Sequence, residues 1–97
     1  MAKLTHNMRR ALRDAALTGG LHRCGLSEMF SHPTQMHVVY FSQSIDALVR
    51  SGMMVRVPDG TSQLAKCTTA GLAALSDSWR PDGAAIPAGS IVELQPA

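Results

Sequence analysis

The sequence predicts a small α+β domain that has a three-helix core, a β-hairpin, a short fourth helix and an extended C-terminal tail. Its 97 residues, 45% apolar and 16% charged, suit one hydrophobic core of modest size. Apolar residues recur at spacings of three and four in two long segments, as on the buried side of a helix. An Asp-Gly pair also separates two short runs of strand-forming residues, which is typical of a hairpin.

The first helix is predicted over residues 5–18. Leu4, Met8 and Leu12 form one apolar stripe at helical spacing. Gly19 follows, and glycine closes a helix in the left-handed conformation at little steric cost. The helix is therefore expected to end there.

The next segment carries a weaker pattern. Leu26, Met29 and Phe30 fit one or two turns of helix. Pro33 interrupts that pattern, because proline disfavours helical geometry in the residue before it. A short second helix is expected before this proline.

A long third helix is predicted over residues 35–51, with Thr34 as its N-cap. Its buried stripe would consist of Val38, Phe41, Ile45, Leu48 and Val49. Its exposed side would present Gln35, His37, Tyr40, Gln43, Ser44, Ala47 and Arg50. Gly52 would end this helix.

Two strands, 53–57 and 62–67, are predicted on either side of a turn at Asp59 and Gly60. Thr68 or Thr69 would then cap a short helix over 70–75. The composition changes afterwards to Pro, Gly and Ala. The chain is therefore expected to comprise a domain, 1–78, and a tail, 79–97, that is docked by Trp79 and the 91–94 strand or serves as a dimer arm.

The charge is unevenly distributed, although the net charge is only +2. Residues 1–66 hold eight of the nine basic side chains and four of the seven acidic ones. A partner with phosphate groups would therefore meet the first two thirds of the chain. No run approaches the ~20 apolar residues that cross a bilayer, and no apolar stretch follows Lys3 as a signal-peptide core would. The expected location is the cytoplasm, with no membrane partner.

The segments Ile45–Gly60 (IDALVRSGMMVRVPDG) and Lys66–Leu75 (KCTTAGLAAL) together resemble winged helix-turn-helix proteins, especially bacterial or phage regulators of the MarR-like kind. In that family the recognition helix ends in a leucine, a few residues and a glycine. An apolar strand, a turn, and a threonine and glycine that open the next helix then follow. The order of the predicted elements agrees with this pattern.

The resemblance implies a homodimeric transcriptional regulator that inserts the 35–51 helix in the major groove of double-stranded DNA. The residues expected to contact bases are Thr34, Gln35, His37, Tyr40, Gln43 and Ser44. The residues expected to hold phosphates are Arg9, Arg10, Arg13, Arg56 and Lys66.

A second interpretation is an interaction module that contacts another protein, as a complex subunit or an inhibitor from a mobile element, and does not bind DNA itself. Its basis is the weak net charge, the acidic or neutral turn around Asp59, and a recognition face with Arg50 as its one fixed positive charge. An effector-sensing repressor is a third interpretation, but so small a core leaves little room for a deep ligand pocket.

Catalysis and metal binding are not expected. The sequence has no glycine-rich phosphate loop, no oxyanion-hole signature and no paired carboxylates in a pocket-forming context. His22 and Cys24 are closer together than the usual pair of zinc ligands. Cys24 and Cys67 are expected to be reduced thiols. The chain is therefore predicted to be a non-enzyme without a cofactor.

Overall fold

The structure is a computed structural model that describes residues 4–23, 29–35, 38–60 and 62–94. These residues form three α-helices, one 3-10 helix and six β-strands. In chain order they are α1 (His6–Thr18), β1 (Leu21–Arg23), β2 (Met29–Ser31), β3 (Val39–Phe41), α2 (Ser42–Arg50), β4 (Met54–Asp59), β5 (Ser62–Thr68), α3 (Thr69–Ala74), the 3-10 helix Gly83–Ala85 and β6 (Ile91–Val92).

Helix α1 confirms the first predicted helix. Thr5 caps it, since its hydroxyl accepts a hydrogen bond from the Met8 amide at 3.1 Å. Gly19 ends it in the left-handed conformation, with φ of 85°. Its buried residues are Ala11, Leu12, Ala15 and Ala16, which belong to the hydrophobic core.

The strands form one sheet in the order β3-β2-β1-β5-β4, with antiparallel neighbours throughout. Strand β6 pairs with β5 in parallel, on the same side of β5 as β1. Helices α1, α2 and α3 all pack on one face of this sheet. The buried strand residues on that face are Leu21, Phe30, Tyr40, Met54, Ala65 and Cys67.

The predicted three-helix core with a small hairpin, and with it the winged helix-turn-helix fold, is wrong. The described residues form six strands and three α-helices: β2 occupies the place of the predicted second helix, and β3 occupies part of the third. The run of β-branched and aromatic residues that ends at Phe41 has a strong strand preference, which outweighed the helical spacing. Burial alternates along β3 with the period of two that a half-covered sheet requires.

The third predicted helix is therefore much shorter than residues 35–51. Helix α2 begins at Ser42 and ends at Arg50. Ile45 and Leu48 are buried as expected. The prediction that Phe41 is buried and Tyr40 exposed is wrong, because a strand turns successive side chains to opposite faces.

The hairpin and the short last helix are confirmed. Strands β4 and β5 pair from Met54 opposite Cys67 to Asp59 opposite Ser62, and Gly60 at the turn has φ of 60°. The Thr68 hydroxyl caps α3 through the Gly71 amide at 3.0 Å. A Cβ atom on Gly71 would lie 2.1 Å from the carbonyl oxygen of Met53, so only glycine fits there.

The C-terminal segment is docked on the domain over its described part, to residue 94. The ring of Trp79 meets that of His6 edge to face, with centroids 5.1 Å apart. The Arg80 guanidinium donates to the Leu75 carbonyl at 2.7 Å, beyond the end of α3. Strand β6 then adds to the sheet, so the segment contacts both layers.

Candidate functional site

The sheet face opposite the helices carries exposed apolar side chains. Registration places Val39, Ser31, His22, Leu64 and Val57 in one row across all five main strands. Because successive side chains of a strand point to opposite faces, the same face also carries a row on each side of this one. One consists of Phe41, Met29, Ser62 and Asp59, and the other includes Lys66 and Val55. These residues define the open sheet face.

This face has accessible apolar side chains. Phe41 is 67% exposed and Val39 is 42% exposed, and they are two of the three exposed large hydrophobic residues among the described ones. Met29, Leu64 and Val57 on this face are partly buried. Exposed apolar side chains that cluster on one surface of a domain commonly mark a binding surface.

Charged groups lie at the two ends of the open sheet face. At one end, the Lys66 ammonium donates to the Gly89 carbonyl at 3.2 Å. At the other end lies Asp59, and one of its carboxylate oxygens is 3.8 Å from Nδ1 of His22 in the middle row; both side chains are about half exposed. The face therefore has a lysine at one end and a carboxylate, already beside His22, at the other.

A polar pocket of about 190 Å³ lies on the helix side of the sheet, where α2 begins. Its lining, here called the arginine pocket, consists of Arg23, Phe30, Ser42, Asp46, Arg56 and Gln63. Two guanidinium groups beside a hydroxyl and an amide can bind a phosphate or carboxylate group. The carboxylate of Asp46 offsets part of that positive charge.

Arg56 is held in place inside the arginine pocket. Its guanidinium pairs with Asp46 of α2 and stacks over Phe30, with the guanidinium carbon 5.8 Å from the ring centroid. Strand β4 and helix α2 are thereby linked at the rim of the core. The side chain predicted to contact phosphate thus already has an acidic partner.

Tyr40, predicted to contact bases, lies inside the domain instead. It is 4% exposed, and its hydroxyl donates to Asp14 of α1 at 2.5 Å. Burial raises the pKa of Tyr40 well above its ordinary value, and the hydrogen bond to Asp14 adds to that rise, while Arg10 acts in the opposite direction. Tyr40 is thus a structural link between the sheet and α1.

The other predicted base contacts are not on one helix. Thr34 and Gln35 are exposed in the turn after β2, where their amides donate to Nδ1 of His32 at 3.2 and 3.1 Å. Gln43 is exposed and Ser44 half-buried, both in the first turn of α2. His37, like Cys24, lies outside the described residues.

The predicted phosphate contacts are divided among three surfaces. Arg9, Arg10 and Arg13 are on α1, Arg56 is in the arginine pocket and Lys66 is on the open sheet face. The structure does bring Gln43 next to Phe41 and Met29, in a shallow depression that adjoins the arginine pocket at Ser42.

Sequence reasoning missed both surfaces. Arg23 and Gln63 join Arg56 only because β1 and β5 are neighbours, which no local pattern shows. The open sheet face had a usable signal, since Val39 and Phe41 alternate with Tyr40 in a strand-like run. Reading that run as helix placed Phe41 in the core.

The remaining chemistry of the described residues is sparse. No group of three His, Cys, Asp or Glu side chains within the described ranges is placed to hold a metal ion. Cys67 is a free, fully buried thiol, and burial raises its pKa to about 12. None of the helices in this part of the chain is long and apolar enough to cross a membrane.

Comparisons with known proteins assign no family: no protein-family model, no curated protein and no solved structure matches this chain.

Proposed function

We propose that this protein acts by protein–protein contact and that the open sheet face is its binding surface. The main support for this proposal is that three helices pack on one face of the five-strand array, while the opposite face exposes Phe41 and Val39 to solvent. Burying such a face lowers the free energy by about 25 cal/mol for each Å² of apolar surface removed from water. A flat apolar face therefore favours an apolar partner surface of similar size.

The composition of the face supports a protein partner over nucleic acid. Phe41 is its one Phe, Tyr or Trp among the described residues, and Lys66 is its one lysine or arginine. Single-strand binding surfaces combine several stacking rings with a continuous basic groove. Asp59 adds a negative charge that phosphates would meet with repulsion.

Site-specific cross-linking of the full chain in cells tests this proposal. Photo-reactive benzoylphenylalanine replaces Phe41 or Val57 in separate variants, and replaces the exposed Ala74 of α3 in a control variant. We expect positions 41 and 57 to cross-link to one protein, at neighbouring peptides of one surface, and position 74 to give no such product. The product should disappear when Val39→Ser and Met29→Ser are added.

Cross-links scattered over many unrelated proteins would contradict the proposal, as would equal yields at position 74. Circular dichroism of each variant shows whether the fold is intact. The two results together separate loss of the surface from loss of the structure.

Double-stranded DNA binding is the second candidate, and the arginines of α1 and the arginine pocket favour it. Arg10 and Arg13 are exposed on α1, and Arg23 and Arg56 share one pocket. Fluorescence anisotropy with mixed duplex DNA between roughly 50 and 200 mM salt tests it. Phosphate contacts would make affinity fall steeply with salt and further in the Arg9→Ala/Arg10→Ala/Arg13→Ala variant.

Gln43→Ala separates base contacts from phosphate contacts in the same assay. A base contact would weaken binding only on chosen sequences, whereas loss of a phosphate contact would weaken it on all of them. Absence of binding at low salt and tens of micromolar protein would exclude this second candidate.

A further inference from the structure

Building on the proposed function, we propose that the occupant of the open sheet face is a second copy of this chain. The two sheets would pack face to face as the two layers of one sandwich. This inference names the partner, whereas the proposed function requires only a protein partner.

The positions of the charges on the face support it. Lys66 is four residues from Ser62 along β5, and Ser62 pairs with Asp59 of β4. Because a strand rises about 3.3 Å per residue, the cation and the anion lie roughly 13 Å apart along the strands. The row that contains Leu64 and Val57 lies midway between them.

A two-fold axis that runs across the strands, between the two sheets, reverses the strand direction in the second copy. It sets β5 over β5 and brings the Lys66 end of one copy over the Asp59 end of the other. Packed sheets are about 10 Å apart, a gap that a lysine side chain can bridge to a carboxylate on the neighbouring strand. The symmetry repeats the contact, so each dimer has two such pairs.

Under the same axis the apolar residues of the middle row, Val39, Leu64 and Val57, lie over the same row of the second copy, with His22 and Ser31 of that row between them. Twisted sheets pack at about −30°, which lets side chains of the two layers interdigitate. Five strands spaced about 4.8 Å apart span roughly 19 Å between the outer strand axes, so the contact is small and we expect a weak dimer that forms at high protein concentration.

Sedimentation equilibrium of the full chain from roughly 5 to 500 µM tests the dimer and its axis. We expect a concentration-dependent dimer for the wild type. Lys66→Glu alone, or Asp59→Lys alone, turns both symmetric attractions into repulsions and should weaken the dimer about tenfold or more. The double variant Lys66→Glu/Asp59→Lys restores opposite charges and should return the dissociation constant to within about threefold of the wild-type value.

Matched controls separate these contacts from general charge effects. Arg50→Glu and Asp77→Lys reverse exposed charges that lie off the open sheet face, and both should leave the dimer unchanged. Lys66→Met removes the charge but keeps the apolar stem, so it should weaken the dimer less than Lys66→Glu does. Circular dichroism shows whether Lys66 variants keep the fold without the hydrogen bond to Gly89.

A monomer at every concentration overturns this inference, and so does a double variant as weak as the two single ones. The cross-linking experiment shows which statement has failed. Cross-links from positions 41 and 57 to a different protein would retain the proposed function and exclude the second copy. No specific protein product at either position would exclude both.

Discussion

The hydrogen bond from the Tyr40 hydroxyl to Asp14 joins the two layers of the molecule, because Tyr40 belongs to β3 and Asp14 belongs to α1. Burial and this hydrogen bond both raise the pKa of Tyr40 in the folded protein, so the folded state favours the protonated phenol. Its contribution to stability is complete below the unfolded pKa of about 10 and is lost as the pH rises above that value.

We expect the phenolate absorbance of Tyr40, the one tyrosine in the chain, to appear together with alkaline unfolding measured by circular dichroism. In urea the same group should titrate near about 10. A reversible titration near that value with the fold intact would contradict the described environment. Tyr40→Phe should lower the free energy of unfolding at neutral pH by about 1.5–3 kcal/mol, since it removes a hydrogen bond to a charged group.

Gly71 is constrained by space, since a Cβ atom there would lie 2.1 Å from the Met53 carbonyl oxygen and 3.0 Å from Leu12. Gly71→Ala must push α3 away from these neighbours. We expect it to lower the free energy of unfolding by about 1–3 kcal/mol in urea denaturation. Gly83→Ala is the control, because a Cβ atom on Gly83 meets nothing within 4 Å, and a cost as large there would show that crowding is not the cause.

At the scale of elements, Thr68 connects the end of β5 to α3 and to the turn before β4. Its hydroxyl donates to the Gly52 carbonyl at 2.6 Å and accepts from the Gly71 amide at 3.0 Å, and the residue is 1% exposed. Thr68→Val keeps the shape and removes both bonds. We expect a loss of about 2 kcal/mol in the free energy of unfolding.

Thr69→Val is the neighbouring control for that variant. Thr69 is exposed in the first turn of α3, so its replacement should change the free energy of unfolding by less than about 0.5 kcal/mol. Equal losses for the two variants would mean that the Thr68 hydroxyl has no special part in joining these elements.

Elements with local determinants were predictable from the sequence, and those that depend on distant partners were not. Helix α1 has a cap at Thr5 and a stop at Gly19, and the hairpin has its own turn at Gly60. Strands β1, β2 and β3 are each only three residues long, and sheet pairing makes them strands. Val38 and Phe41 do have helical spacing, but the same segment also has the alternating pattern of a strand, and the strand preference of its residues prevailed.

The same competition explains what was missed at the candidate site. A helix over 35–51 would bury Phe41, whereas a strand exposes it beside Met29 of β2. Once β3 is recognised, the open sheet face follows from alternation along each strand. The arginine pocket does not follow from the sequence, because Arg23 and Arg56 meet only through the order of strands in the sheet.

At the scale of the whole molecule, a 97-residue chain that folds in two layers has only a small hydrophobic core. The C-terminal segment adds to that core, since Trp79 and Ile91 pack against it and β6 pairs with β5. Its described part is therefore integral to the fold. The segment and the rest of the domain should then unfold as one cooperative unit.

The fluorescence of Trp79 tests this cooperativity, because it is the one tryptophan of the chain and lies in the C-terminal segment. We expect urea transitions measured by fluorescence and by far-ultraviolet circular dichroism to coincide in midpoint and slope. His6→Ala removes the ring that meets Trp79 edge to face and should shift both transitions together, by about 0.5–1.5 kcal/mol. A fluorescence transition at lower urea than the circular dichroism transition would instead show that the segment detaches before the sheet and α1 unfold.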